Sequence, residues 1–165
     1  MDTTKLMAFI ARAAEQSKAL DDFVEDQRAV AGAVRARDWP RRQKALEKAV
    51  GSAELVAMRE AARHDAWADF LDDIGEAPDA TVFRASLALP LDYRAVLNDT
   101  YRALRLSALR ARIENDALSG FVGEASSTLR QAIETLFPDR KGRMYGKSGK
   151  PRSVRSGALI LDTAL

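Results

Sequence analysis

From about Leu91 to Phe137 the chain carries a single amphipathic pattern that ends at Pro138. Apolar or small residues recur at Tyr93, Val96/Leu97, Tyr101, Leu104, Ala108, Ala111, Asn115, Leu118, Val122, Ala125, Leu129, Ile133 and Leu136/Phe137. Spacings of three and four sustained over this length demand a helix and exclude strands. A helix this long offers a stripe of which a small bundle covers only part, and an uncovered stripe usually meets a partner helix or a second copy. Two glycines, Gly120 and Gly123, mark its weak spot, each costing about 1 kcal/mol relative to alanine; a bend or hinge is one reading of them.

Two more helical stretches precede it. From Thr3 or Thr4 to about Arg37 the seam runs Leu6, Phe9/Ile10, Ala13, Ser17, Leu20, Phe23/Val24, Val30/Ala31 and Val34, a rod of roughly 50 Å at about 1.5 Å per residue. Asp38-Trp39-Pro40 stops it, because the residue before proline avoids the helical region, and Asp38 can cap the next helix. That second helix carries Leu46, Val50, Ala53, Val56/Ala57, Trp67, Phe70/Leu71 and Ile74. So short a connection makes it fold back antiparallel. Gly75 to Ala80 reads as a loop and Thr81 to Leu89 as a short helix before Pro90. The expected fold is all-α: an elongated antiparallel bundle of three long helices plus a short one over residues 1–137, followed by a flexible basic tail with an apolar end over 138–165.

Charge divides along the same boundary. Residues 1–137 hold 19 Lys/Arg against 22 Asp/Glu, and residues 138–165 hold 7 against 2. The chain has no cysteine, so nothing calls for an oxidising compartment or a thiolate-bound metal. Neither a secretory signal nor a membrane-length apolar run is visible, and a soluble, cytoplasmic protein is expected.

The residue inventory points away from catalysis. The one histidine, His64, lies off the apolar stripe with no second histidine to share a metal or a proton. Adjacent acids such as Asp21-Asp22 and Asp72-Asp73 diverge by about 100° on a helix. No glycine-rich phosphate loop opens a helix. No enzyme, metal or cofactor is expected. Trp39 and Trp67 read as anchors that plug a narrow bundle. Asn115, in register with the apolar seam, either fixes helix register or offers its amide to a partner. Seven cations between Arg140 and Arg155 raise nucleic acid as a partner, but the acidic body and the single interleaved aromatic argue against it.

The order of features resembles one known family. A long first helix with Asp22-Phe-Val-Glu25, the turn Arg37-Asp38-Trp39, a second helix with Leu46 to Arg59, a late helix with Arg112-Ile-Glu-Asn115, and the tail Met144-Tyr-Gly-Lys-Ser-Gly149 are similar to the FlgN-type flagellar type III export chaperones. The resemblance implies an ATP-independent chaperone of the hook-filament junction proteins FlgK and FlgL. It would bind their C-terminal helical segments and deliver them to the export gate component FlhA. On this reading Ile113, Asn115, Leu118, Val122, Leu129, Ile133 and Phe137 form the client surface, and Tyr145 and Gly149 belong to the gate contact. A self-associating coiled coil, with a homodimer left open, is the alternative.

Overall fold

The computed structural model describes residues 3–136, 143–145 and 151–153, and these form an all-α helical bundle with one small strand pair. The order is α1 (Thr3–Arg35), α2 (Trp39–Asp73), α3 (Val82–Leu87), α4 (Leu91–Leu136), β1 (Arg143–Tyr145) and β2 (Pro151–Ser153). The chain divides into two compact units, Met1–Ser119 and Gly120–Leu165. The division falls inside α4, whereas the sequence placed the boundary at its proline stop.

Helix ends follow the local chemistry. The Asp38 side chain accepts a hydrogen bond from the Arg41 backbone N–H at 3.0 Å, and Pro40 occupies the first turn of α2, where a missing N–H costs nothing. Thr81 caps α3 in the same way, accepting from the Arg84 N–H at 3.3 Å. Two helices end in the same motif with different residues. At the end of α2 the N–H groups of Gly75 and Glu76 bond to Asp72 and Leu71, with Gly75 at φ 70°. At the end of α1 the N–H groups of Arg37 and Asp38 bond to Val34 and Ala33, with Arg37 at φ 55°. Glycine adopts this left-handed conformation freely; a side chain such as that of Arg37 costs about 1 kcal/mol there.

Within the first unit, α1 is the element with partners on two sides. Arg59 meets Glu15 at 2.7 Å, Arg63 Nε donates to Gln16 Oε1 at 2.6 Å, and Lys48 meets Asp26 at 2.8 Å. Lys48, early in α2, thus pairs late in α1, and Arg59 and Arg63, later in α2, pair with its first half, the expected antiparallel hairpin. On the other side Arg28 bonds Glu114 through two nitrogens at 2.9 and 2.7 Å, and Gln27 Nε2 donates to Asn115 Oδ1 at 3.0 Å. Leu6, Phe9, Phe70, Leu71, Leu89 and Leu97 are the largest fully buried side chains. Trp67 packs between Phe9 and Phe70, with ring centroids 4.8 and 5.5 Å away. Arg94 of α4 donates to the carbonyls of Leu87 and Leu89 at 3.0 and 2.7 Å, which satisfies acceptors left open where α3 ends.

Two expectations are corrected here, and one feature of α1 is added. The face of α2 that is partly covered runs through Ala45, Ala49, Ser52, Val56, Arg59 and Arg63, one position away from the expected Leu46, Val50 and Ala53, which are exposed. The Phe9–Trp67–Phe70 cluster and the ion pairs to α1 set the rotation of α2, and at 100° per residue that leaves Leu46 and Val50 on its flank. Trp39 is exposed rather than plugged into the bundle, with the Arg42 guanidinium 4.9 Å from its ring centre. The helix α1 buries Gln16, Asp26 and Gln27 beside its apolar seam; two neighbours need two stripes, and α1 has too few apolar residues for both.

Beyond α4, β1 and β2 pair antiparallel, with Arg143 opposite Ser153 and Tyr145 opposite Pro151. The sequence pattern gave no sign of this strand pair. The rest of the region expected to be a flexible tail lies outside the described residues.

Candidate interaction surface

The candidate site is a stripe of side chains on α4. The helix is unbroken through Gly120 and Gly123. Its early part is buried at Leu97, Leu104, Ser107 and Ala111. Beyond Leu118, which is half-buried, every residue from 119 to 136 is exposed. The exposed part is as apolar along one face as the buried part. At 100° per residue Leu118, Phe121, Val122, Ala125, Leu129, Ala132, Ile133 and Leu136 fall within an arc of about 120°. Burying such a stripe is worth roughly 25 cal/mol per Å², and nothing among the described residues collects that free energy.

Of the client residues expected from sequence, Val122, Leu129 and Ile133 lie exposed on this arc, and Leu118 lies on it half-buried. Ile113, 58% exposed, does not. It falls about 140° away, on the side of Leu106 and Leu109, which are also exposed. Asn115 is exposed, and its amide oxygen accepts from the buried Gln27. Of the two roles open to it, the bond to α1 is the one present. Gln27 Oε1 is buried and has no partner among the described residues. Phe137 and Gly149 lie outside the described residues. Tyr145 ends β1. Phe121 and Leu136, 40% and 71% exposed, belong to the stripe; Phe121 was missed altogether, and Leu136 was placed on the apolar pattern but not among the client residues. The three-four spacing from Leu118 was enough to find Phe121.

Two clefts of the first unit are lined largely by charged residues. One of about 350 Å³ is lined by Asp21, Asp22, Val24, Glu25, Arg28 and Arg110. Another of about 590 Å³ is lined by Asp22, Glu25, Asp26, Lys48, Gly51, Ser52 and Leu55. Their charges serve one another. The Glu114 carboxylate, through a hydrogen bond and its charge, and Glu25 more weakly, push the Arg28 guanidinium above its ordinary range. Asp26 does the same to the Lys48 ammonium. His64 is exposed on α2. Among the described residues no group of three or more His, Cys, Asp or Glu is placed to hold a metal ion, and no helix is long and apolar enough to cross a membrane.

No family model, curated protein or solved structure matches this chain.

Proposed function

We propose that this chain is a flagellar type III export chaperone that takes up an amphipathic helix from a hook-filament junction protein, FlgK or FlgL, and carries it to the export gate component FlhA in the cytoplasm. The observation that supports the reading is the stripe from Leu118 to Leu136: a preformed helix, apolar on one side, with no described side chain beyond Leu118 even half-buried. A client helix with apolar residues repeating at three and four positions would lie along it, with Val122, Leu129 and Ile133 as anchors. Uptake needs no nucleotide, because covering apolar area drives it and the cost of ordering the client moderates it. Tyr145 is the proposed gate contact, on the strength of its place in the Tyr145-to-Gly149 element.

Calorimetric titration of the full chain with the C-terminal helical segments of FlgK and FlgL, at low and high salt, tests the reading. Expected is saturable one-to-one binding with a negative heat-capacity change and little salt dependence, lost in Leu129→Glu. No heat from either segment would sink it. Binding that weakens steeply with salt would point instead to the basic tail and an anionic partner.

A further inference from the structure

The spacing of the residues along the stripe reads the same in both directions about Ser127, while at the four inner positions reversal sets a small residue against a larger one. Leu118, Val122, Ala125, Leu129, Ala132 and Leu136 are separated by four, three, four, three and four residues, the alternation of the two core positions of a coiled coil. Reversal about Ser127 sets Leu118 against Leu136, Val122 against Ala132, and Ala125 against Leu129. We propose that a second copy of this chain docks on the stripe, antiparallel, with its two-fold axis beside Ser127.

Size complementarity selects the antiparallel register. In a parallel, in-register pair Ala125 would meet Ala125 and Ala132 would meet Ala132, two thin layers alternating with the wide layers of Leu129 and Leu136. In the antiparallel pair each central alanine meets a leucine or a valine, and the two end layers are leucine on leucine. Layers of even thickness let two straight helices stay in contact along their length. Phe121, on one shoulder of the stripe, then lies beside the small Ala132 of the other copy. An isologous contact of this kind closes on itself and stops at a dimer.

Charge and area are consistent with that occupant. Between Leu118 and Leu136 the charged residues are Glu124, Arg130 and Glu134, and all three fall at least about 100° from the centre of the stripe, so none is desolvated by pairing. The exposed fractions of Phe121, Val122, Leu129, Ile133 and Leu136, with the stripe's two alanines, amount to roughly 600 Å² per copy, or about 1,200 Å² for the pair, the lower edge of a stable interface. The proposal does not rest on the export reading: the dimer forms with no client present, and under that reading the client displaces the second copy.

Because the chain has no cysteine, single cysteines report the register. Thr128→Cys lies one residue from the dyad on the interface shoulder, and in the antiparallel dimer it meets its counterpart. Ala132→Cys meets its counterpart only in a parallel pair; in the antiparallel one the two stand about 15 Å apart along the axis, too far for a disulfide. The experiment is light scattering of the full chain across a dilution series, followed by mild oxidation of each cysteine variant. Expected are a dimer mass, cross-linking of T128C but not A132C, and loss of the dimer in L129E with unchanged helical circular dichroism. A monomer at every concentration, a dimer that survives L129E, or cross-linking through A132C in place of T128C would each overturn the proposal.

Discussion

The two halves of α4 carry the same stripe and meet different fates. Leu97, Leu104 and Ala111 are buried in the core shared with α1 and α2. Val122, Leu129 and Ile133, in the same helical phase, are 43 to 62% exposed. Periodicity, residue size and helix propensity do not separate them. The difference teaches that an apolar stripe states a need for cover, and that which parts receive cover from their own chain is decided elsewhere. In the first half burial stabilises the fold; in the second, the same surface stays exposed among the described residues.

The widest gap between the halves should appear on truncating one leucine in each. Leu97→Ala removes a fully buried side chain and is expected to cost about 2–5 kcal/mol. Leu129→Ala, at 62% exposure, should change stability by no more than about 0.5 kcal/mol. Urea unfolding midpoints of the two variants measure this directly. Equal losses would mean that the second half is covered in the free protein, a result the proposed dimer would produce at high concentration only.

Next in size is the polar contact at the end of the covered half. Asn115→Leu adds apolar surface to the stripe, yet it leaves the buried Gln27 amide without its partner. The expected outcome is a loss of about 1–3 kcal/mol by the same unfolding measurement, reversed in part by a compensating Gln27→Leu. Stabilisation by the single change would show that the stripe, not the amide pair, governs this point.

A smaller effect of opposite sign is expected beyond it. An added Cβ at Gly120 or Gly123 meets no atom within 4 Å, so Gly120→Ala and Gly123→Ala should each stabilise the helix by about 0.5–1 kcal/mol. Amide hydrogen exchange between residues 119 and 136 should slow accordingly. Faster exchange would indicate that the glycines serve a bent state.

The smallest contrast is electrostatic. Lys48 holds its proton more tightly in the folded chain, because Asp26 accepts a hydrogen bond from it and attracts its charge. A raised pKa gives a contribution fully present below the unfolded value of 10.5 and lost as pH rises through the folded one. The stability difference between the wild type and Lys48→Gln should therefore be constant through neutral pH and shrink above 10.5. With Lys48 largely in solvent the effect is slight. The Leu129→Ala comparison should show no such pH dependence.

Helix boundaries were legible because local chemistry writes them: Asp38 before Pro40, Gly75 at φ 70°, Thr81 before a short run, and Pro90 before Leu91. The exposed stripe was legible too, apart from Phe121, since spacing alone marks an arc of a helix. Which arc of α2 meets α1 was not, because Ala45/Ala49 and Leu46/Val50 are both acceptable faces, and aromatic packing at the far end chose between them. Nor were Gln16, Asp26 and Gln27 recognisable as buried. Their polarity argues for solvent until Arg63, Lys48 and Asn115 are brought against them from distant parts of the chain.

The sequence by itself determined that this protein is helical, where its helices begin and end, and that α4 is amphipathic throughout, since turns, caps and periodicity act over a few residues. Only the tertiary structure decided that α1 carries neighbours on two sides, that Asn115 is bonded to Gln27, and that the stripe of α4 is buried at Leu97, Leu104 and Ala111 and exposed after Leu118. Those outcomes depend on which surfaces meet, and surfaces that meet belong to residues as far apart as 27 and 115, beyond the reach of any local pattern.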